Sequence, residues 1–250
     1  MASKTLVLIT GANQGLGYYA AQQLSATGKH HVLMGSRDLS KAEKAIETIG
    51  DDKTIKGNPG NVEPIQIDMS SDDSIQQAAA TVEKKYGYLD ILMPNAGISW
   101  AKGSLREQYQ QIYEANVFGA AVTVDAFLPL LRKSTASSGK RIAFTSSALG
   151  SLKWSVEADG GLNGKNYPIY RQTKVADNMM MISYARMLED EGFVVSASNP
   201  GHCATNLNNF MGARDPREGA KLLIHAATGS KEEVHGRVVN DEGEEKWCPW

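Results

Sequence analysis

A chain of 250 residues, 42% hydrophobic and 22% charged, has enough apolar material for a substantial core, and its length admits one domain or two. A net charge of −2 with scattered Lys and Glu offers no basic surface to displace counterions, so no nucleic-acid partner is expected. Cys203 and Cys248 stand far apart and the five histidines lack ligand spacing, which argues against a disulfide framework or a metal site.

Residues 1–4 run straight into an apolar strand, leaving no room for a signal peptide, and a cytoplasmic protein is expected. The most apolar stretch, 120–131, is broken by Asp125 and Pro129, so no membrane span is expected either. Short β-branched or apolar runs recur at 5–10, 31–36, 62–67, 89–94, 141–146, 193–198 and, weakly, 237–240. Between them lie stretches with helical spacing at 16–27, 39–49, 71–85, 104–132, 170–191 and 216–227. This alternation predicts an α/β fold of βαβ units, whose right-handed crossovers give a doubly wound, mostly parallel seven-stranded sheet with helices on both faces. The unbroken apolar run at 5–10 suits a strand buried on both sides. No linker, repeat or low-complexity tract interrupts the pattern, and residues 1–250 read as a single domain.

The first strand ends in Thr10-Gly11-Ala12-Asn13-Gln14-Gly15-Leu16-Gly17 and passes directly into an apolar helix. Glycine there lets the backbone turn sharply and approach a diphosphate, while the helix start offers free N–H groups and its positive dipole end. This context makes the domain a Rossmann-type NAD(P)-binding unit. At the end of the second strand, Ser36 and Arg37 stand where a hydroxyl and a guanidinium suit a ribose 2′-phosphate, favouring NADPH/NADP. Asp38 is the competing feature, because turned inward it favours NAD.

Tyr170 and Lys174 lie four apart at the start of a predicted long helix and so project from one face. A nearby ammonium favours phenolate, lowering the tyrosine pKa from about 10 and fitting it to give a proton to a forming alkoxide. Ser146 and Ser147 close the fifth strand at the carboxyl edge of the sheet, and strand alternation points them oppositely, leaving either as the active hydroxyl. Asn95-Ala96-Gly97 leaves the fourth strand at that edge, and Asn116 lies within the next long helix.

The GxxxGxG spacing, the serine at the fifth strand, YxxxK and Asn116 together resemble the short-chain dehydrogenase/reductase family over residues 4–205; the long interval before Tyr170, the Ser36-Arg37-Asp38 strand end and the Leu128-Pro129-Leu130 stretch most resemble its carbonyl-reductase-like members. The resemblance implies Tyr170 as proton donor and Ser147, the second of the serine pair, as the carbonyl's hydrogen-bond partner. It implies Lys174 on the nicotinamide ribose, and Asn116 fixing a water that links Lys174 to solvent. It also places Gly11, Asn13, Gln14, Gly15, Leu16, Gly17, Asn95, Ala96, Gly97, Tyr170 and Lys174 along the cofactor. Asp68 and Met69 would flank the adenine, although Asp68 also reads as a residue leading into a helix capped by Ser70 or Ser71. Pro200, Gly201 and Thr205 match a PGxxxT segment that lies against the nicotinamide.

The expected activity is therefore NADPH-dependent reduction of a ketone or aldehyde, reversible to alcohol oxidation, on a small-molecule carbonyl or alcohol substrate. A non-catalytic NADP(H)-binding sensor, or an isomerase or cyclase using the same pocket, are the rival readings. Twenty-three positions separate Ser147 from Tyr170, a longer interval than most family members carry. Loops at 149–169 and 206–216 are expected to shape the substrate pocket, with Phe210 and Met211 as a cover made mobile by Gly212. Trp100, Trp154, Trp247 and Trp250 are further wall candidates. The longer interval leaves monomer and homo-oligomer equally open, and the tail 244–250 is expected to dock back on the body.

Overall fold

The structure, a computed structural model, describes residues 4–136, 139–157, 165–241 and 246–250. Strands β1 (Thr5–Ile9), β2 (His30–Ser36), β3 (Val62–Gln66), β4 (Ile91–Met93), β5 (Arg141–Thr145), β6 (Val194–Ser198) and β7 (Val238–Val239) form one sheet in the order β3-β2-β1-β4-β5-β6-β7. Every pairing between these strands is parallel. All carboxyl ends therefore open on one edge, and the strand order reverses between β1 and β4. That topology is the Rossmann type, whose ligand crevice lies at the reversal.

Helices α1 (Gly15–Ala26), α2 (Leu39–Thr48) and α8 (Pro216–Thr228) cover one face. Helices α3 (Asp72–Tyr86), α5 (Gly119–Arg132) and α7 (Pro168–Met187) cover the other. Strand β1 shows why its sequence is apolar throughout: Leu6 and Leu8 pack with Val124, Phe127 and Met181, while Val7 and Ile9 pack with Ala21, Leu24 and Leu223. Period-2 alternation with helices on both sides leaves no polar face. Capping fixes the helix starts. Asp38 accepts from Ser40 N and Lys41 N at α2, and Ser71 accepts from Ser74 N at α3. Ser104 and Glu107 close a reciprocal box at α4 (Leu105–Tyr113).

Three departures from the predicted elements bear on the site. The helix expected over 104–132 is α4 and α5 joined through a π turn, Glu114–Phe118, centred on Asn116. A single π turn inserts one extra residue into the helical ladder and re-aims the side chains around it. The run 105–132 is long enough, and in part apolar enough, to cross a membrane, yet Val124, Phe127, Leu130 and Leu131 lie in the core. Helix α7 begins two residues earlier than predicted, at Pro168, a residue suited to a first helical position because it lacks the N–H that would go unpaired. Two short helices, α6 (Leu152–Glu157) and α9 (Lys231–Val234), were not legible in the pattern.

The tail docks as expected. Cys248 N donates to Val238 O at 2.9 Å, the Arg237 guanidinium lies 3.8 Å from the Trp247 ring centroid, and Lys153 N donates to the Trp250 carbonyl at 2.9 Å. Trp247 and Trp250 nonetheless stay half-exposed.

Asp90 fastens β1 and β4 at the opposite, amino end of the sheet. Its buried carboxyl accepts from Leu6 N at 2.8 Å and from Ser134 Oγ at 2.5 Å. Asp90→Ala strands both donors inside the protein, at a cost of about 3 kcal/mol. Thermal unfolding should then fall by about 6–12 °C, and a calorimetric shift under one degree would show that the two bonds carry no net stability.

Candidate active site

At the sheet reversal, Thr10 Oγ1 accepts from both Asn95 N and Ala96 N at 3.0 Å. Asn95 Nδ2 donates back to Thr10 O at 2.9 Å, and Thr145 Oγ1 donates to Asn95 Oδ1 at 3.2 Å. These bonds knit the ends of β1, β4 and β5. The packing is so close that a Cβ on Gly11 (φ +63°) would stand 2.9 Å from Ala96 Cα, and one on Gly17 would stand 2.6 Å from Asn95 Nδ2. Gln14 enters α1 in extended conformation without a side-chain cap, and no acidic residue occupies the first turn. The N–H groups of Gly15, Leu16 and Gly17 are thus left to an anion, and nothing nearby on that turn repels one. A cradle that a Cβ would fill, facing an uncapped helix start, fits the diphosphate of a dinucleotide. Asn13, Gln14 and Gly15 line a groove of about 470 Å³ with Tyr18, Lys41 and Lys44.

At the adenosine end the structure separates the expected residues. Arg37 is exposed, whereas the Ser36 hydroxyl is buried and donates to Asp38 O at 2.9 Å while accepting from Asp38 N at 3.2 Å. In the structure the single hydroxyl proton is directed to the turn. Asp38 is turned to α2, where Ser40 Oγ donates to it at 2.8 Å, and that bond first of all holds its carboxyl below the usual range. Asp68 Oδ1 accepts from Ser70 N at 3.0 Å and Ser70 Oγ at 2.7 Å, the leading-residue role. These bonds, and the charge of Arg37, keep it ionised at lower pH than usual despite partial burial. The Met69 side chain belongs to the core, its sulfur 3.6 Å from Thr123 Oγ1, so only its backbone is left at the strand edge.

The catalytic candidates gather around α7. Lys174 Nζ lies 5.5 Å from the Tyr170 ring centroid and donates to Thr145 O at 2.8 Å. The two serines differ sharply. Ser146 is buried and its hydroxyl donates to Asn178 Oδ1 at 2.5 Å, whereas Ser147 is half-buried and, among the described residues, its hydroxyl accepts from Leu149 N alone, at 3.2 Å. Asn116 Oδ1 accepts from Ile98 N at 2.8 Å, and its Nδ2 donates to Ile98 O at 2.9 Å and Thr173 Oγ1 at 3.0 Å. Both amide protons are spent, so the side chain clamps the loop leaving β4, at Gly97 and Ile98, to Thr173 in the second turn of α7.

Burial pushes the Tyr170 phenol above its ordinary value; Lys174 pulls it back, and Asp177 adds to the rise. The expected lowering by the lysine is therefore outweighed. Burial likewise disfavours the Lys174 ammonium, but the carboxyl of Asp177 and the Tyr170 phenol more than compensate and carry it up.

On the third side, Asn199 Oδ1 accepts from Ala148 N at 2.9 Å and Gly201 N at 3.2 Å, while Gly201 turns at φ +75° after Pro200. Thr205 stands over the glycine turn, its Cβ 3.7 Å from where a Gly15 Cβ would be. Ser99 Oγ donates to Leu207 O at 2.7 Å, bridging the β4 exit to the 206–208 turn. Phe210 lines the groove beside Asn13 and Gln14, and Trp100, Phe210 and Met211 are all more than 60% exposed. Gly212 does not serve mobility: a Cβ there would fall 2.1 Å from Cys203 C, because its strand of backbone presses against residues 202–204. Residues 165–169 and 149–157 of the long interval are tied down by Arg171, which donates to Asn166 O and Ser155 Oγ; residues 158–164 lie outside the described residues. Trp154 is half-buried against the core rather than a free wall.

Sequence reasoning passed over Thr173, Asn178, Asn199 and Asp177. For Asp177 a signal existed, since a carboxylate three residues beyond a lysine shares its helical face.

A model of the short chain dehydrogenase family matches residues 5–215. The short-chain dehydrogenase anuI of Penicillium roqueforti is 41% identical over 246 residues, covering 96% of this chain and 95% of its own. The fold recurs in an NADPH-bound carbonyl reductase from chicken fatty liver (TM-score 0.81, 23% identity, 99% of this chain and 100% of that one). It recurs also in a 3-ketoacyl-(acyl-carrier-protein) reductase from Brucella melitensis complexed with NADH (TM-score 0.76, 22% identity, 94% and 96%). By the extent of the family match and the identity to the Penicillium relative, the chain belongs to the short-chain dehydrogenase/reductase family of oxidoreductases.

Proposed function

We propose that the protein is an NADPH-dependent reductase of ketone or aldehyde carbonyls, with Tyr170 as its general acid. The observation that carries the reading is the placement of Tyr170 and Lys174 on one face of α7, with Lys174 bonded to the strand end that leads into Ser147. A bound nicotinamide supplies the hydride to the carbonyl carbon. Ser147, whose hydroxyl proton is not committed as that of Ser146 is, holds the carbonyl oxygen. Tyr170 gives its phenolic proton to that oxygen, so hydride and proton together convert carbonyl to alcohol. Lys174 orients the ribose and steadies the phenol, and Asn116 acts one step away by fixing Ile98 and Thr173. The backbone of Gly11, Asn13, Gln14, Gly15, Leu16 and Gly17 holds the diphosphate, with Asn95, Ala96, Gly97, Pro200, Gly201 and Thr205 bordering the nicotinamide half.

The preference for NADPH rests on the adenosine end. Asp38 is occupied in capping α2, Arg37 is exposed beside it, and Lys41 and Lys44 line the adjoining groove. A dianionic 2′-phosphate meets cations there rather than a free carboxylate. The carbonyl reductase from chicken fatty liver, bound to NADPH, is consistent with this choice, although the Brucella reductase complexed with NADH shows that the fold accepts either. Exposed Trp100, Phe210 and Met211 near the mouth suit a substrate with apolar surface.

An NADPH-oxidation screen over aldehydes, ketones and quinones tests the reading directly; cofactor binding without turnover of any carbonyl would favour a nucleotide-holding protein instead. Tyr170→Phe should cut turnover by about 10²–10⁴-fold while fluorescence titration shows NADPH still bound, and retained activity would remove Tyr170 from the mechanism. Arg37→Ala should weaken NADPH binding by about 10–100-fold, the value of a charge-assisted bond, and leave NADH binding unchanged. Equal losses for both cofactors would place Arg37 outside the phosphate site.

A further inference from the structure

Helix α7 carries a carboxylate in line with the two catalytic candidates. Lys174 lies one turn beyond Tyr170, and Asp177 one turn beyond Lys174, so phenol, ammonium and carboxylate follow one another down a single face. Lys174 Nζ and Asp177 Oδ2 are 2.8 Å apart, and the two side chains are only 6% and 4% exposed. The ammonium has three protons; Thr145 O takes one and Asp177 another. Asp177 Oδ1 is buried without a hydrogen-bond partner among the described residues. A half-satisfied carboxylate at this depth is costly, and packing alone would select an apolar side chain.

We infer that Asp177 is a positioning residue of the reaction: paired with Lys174 at 2.8 Å in the interior, it holds the ammonium in place and offsets its charge beside the Tyr170 phenol. This rests on the assignment of Tyr170 as acid and Lys174 as its partner. An unbalanced ammonium within about 4–6 Å of a phenol favours phenolate by about one to three units. The pair of Lys174 and Asp177 carries no net charge whether their shared proton sits on nitrogen or oxygen, so the phenol meets a dipole instead of a cation. Burial pushes Tyr170 up, and of the charges acting on it Lys174 and Asp177 work in opposite directions.

Other ionisable groups on the surrounding elements are Tyr109 and Tyr113 of α4, Glu114 of the π turn, and Asp125 of α5. To these add Arg106 and Glu107 of α4, Arg132 of α5, Lys153 and Glu157 of α6, Arg141 at the far end of β5, and Arg171, Tyr184 and Arg186 of α7. None of these is among the groups that move the phenol. The sign follows. The donor form of Tyr170 is protonated, so holding it up extends carbonyl reduction to higher pH. The phenolate that accepts a proton from an alcohol appears only in more basic solution.

Removing the carboxylate leaves Lys174 unbalanced, with the Thr145 carbonyl still accepting from it. For Asp177→Asn and Asp177→Val, kcat/KM against pH should show both limbs, the fall in carbonyl reduction and the rise in alcohol oxidation, moved down by about one to two pH units. Asp177→Glu should return the limbs towards the wild-type position. Limbs that stay in place in the Asn and Val variants overturn the inference. A second measurement needs no turnover: with tyrosine ring carbons labelled, the Tyr170 signal, assigned by its loss in Tyr170→Phe, should titrate at lower pH in Asp177→Asn than in the wild type. Equal midpoints also overturn the role of Asp177. Failure to reduce any carbonyl, by contrast, counts against the reductase assignment, while the Tyr170 titration still decides the electrostatic claim.

Discussion

Strands β1 and β4 send their chains to opposite sides of the sheet, and the crevice between them exists only while something ties them together where they part. Thr10 and Asn95 provide that tie. One hydroxyl accepts two backbone N–H groups, and one side-chain amide reaches back to the Thr10 carbonyl while accepting from Thr145. The same closeness excludes any side chain at Gly11 and Gly17. The glycines at this turn therefore answer two demands at once, since the contact that closes the sheet edge also leaves the helix start bare for an anion. Loosening β4 from β1 by an ångström would shift the diphosphate cradle and the Lys174 anchor at Thr145 together.

From this edge the order passes inward along α7. Pro168 sets the start of the helix, Asn116 holds its second turn through Thr173, and Arg171 pins the segment that precedes it. The π turn matters here, because an uninterrupted α4–α5 helix would carry residue 116 to a different angle. Tyr170 is thereby fixed by contacts that do not touch its hydroxyl. The hydroxyl itself is governed by electrostatics: burial disfavours phenolate, and the neighbouring cation is balanced by a carboxylate. Geometry and charge are set by different residues, so each can change without the other.

Most of the fold was legible because it depends on patterns with a strong physical cause. Residues 6–9 of a doubly buried strand are all apolar, the start of α3 carries the capping Ser71, and strands alternating with helices leave little choice of topology. Glycine spacing and the Tyr170–Lys174 pair could be read for the same reason. What escaped was conditional on tertiary contact. Ser36 reads as a hydroxyl donor, and in the structure its proton is directed to the turn at Asp38. Gly212 looked like a hinge until Cys203 was found against it. Met69 was expected to flank the adenine beside Asp68, and helix α5 draws its side chain into the core. In each case a partner distant in sequence decided the role, and a local motif carries no record of that partner.

The two halves of the crevice are also built differently. On the cofactor side, contacts run through backbone atoms and buried polar side chains, which tolerate little exchange because an unsatisfied buried donor costs about 1–3 kcal/mol. Trp100, Phe210 and Met211, by contrast, are exposed and free of such obligations, with Phe210 and Asn209 at φ +60° and +52°. The left-handed region suits asparagine but strains a phenylalanine, so that loop holds its aromatic ring outward against a local preference. Covering an exposed aromatic or thioether side chain with an apolar ligand returns about 1.5–3 kcal/mol each. Exposed side chains of this kind are ones the fold does not need, so they can change without disturbing Tyr170, the lysine or the cradle.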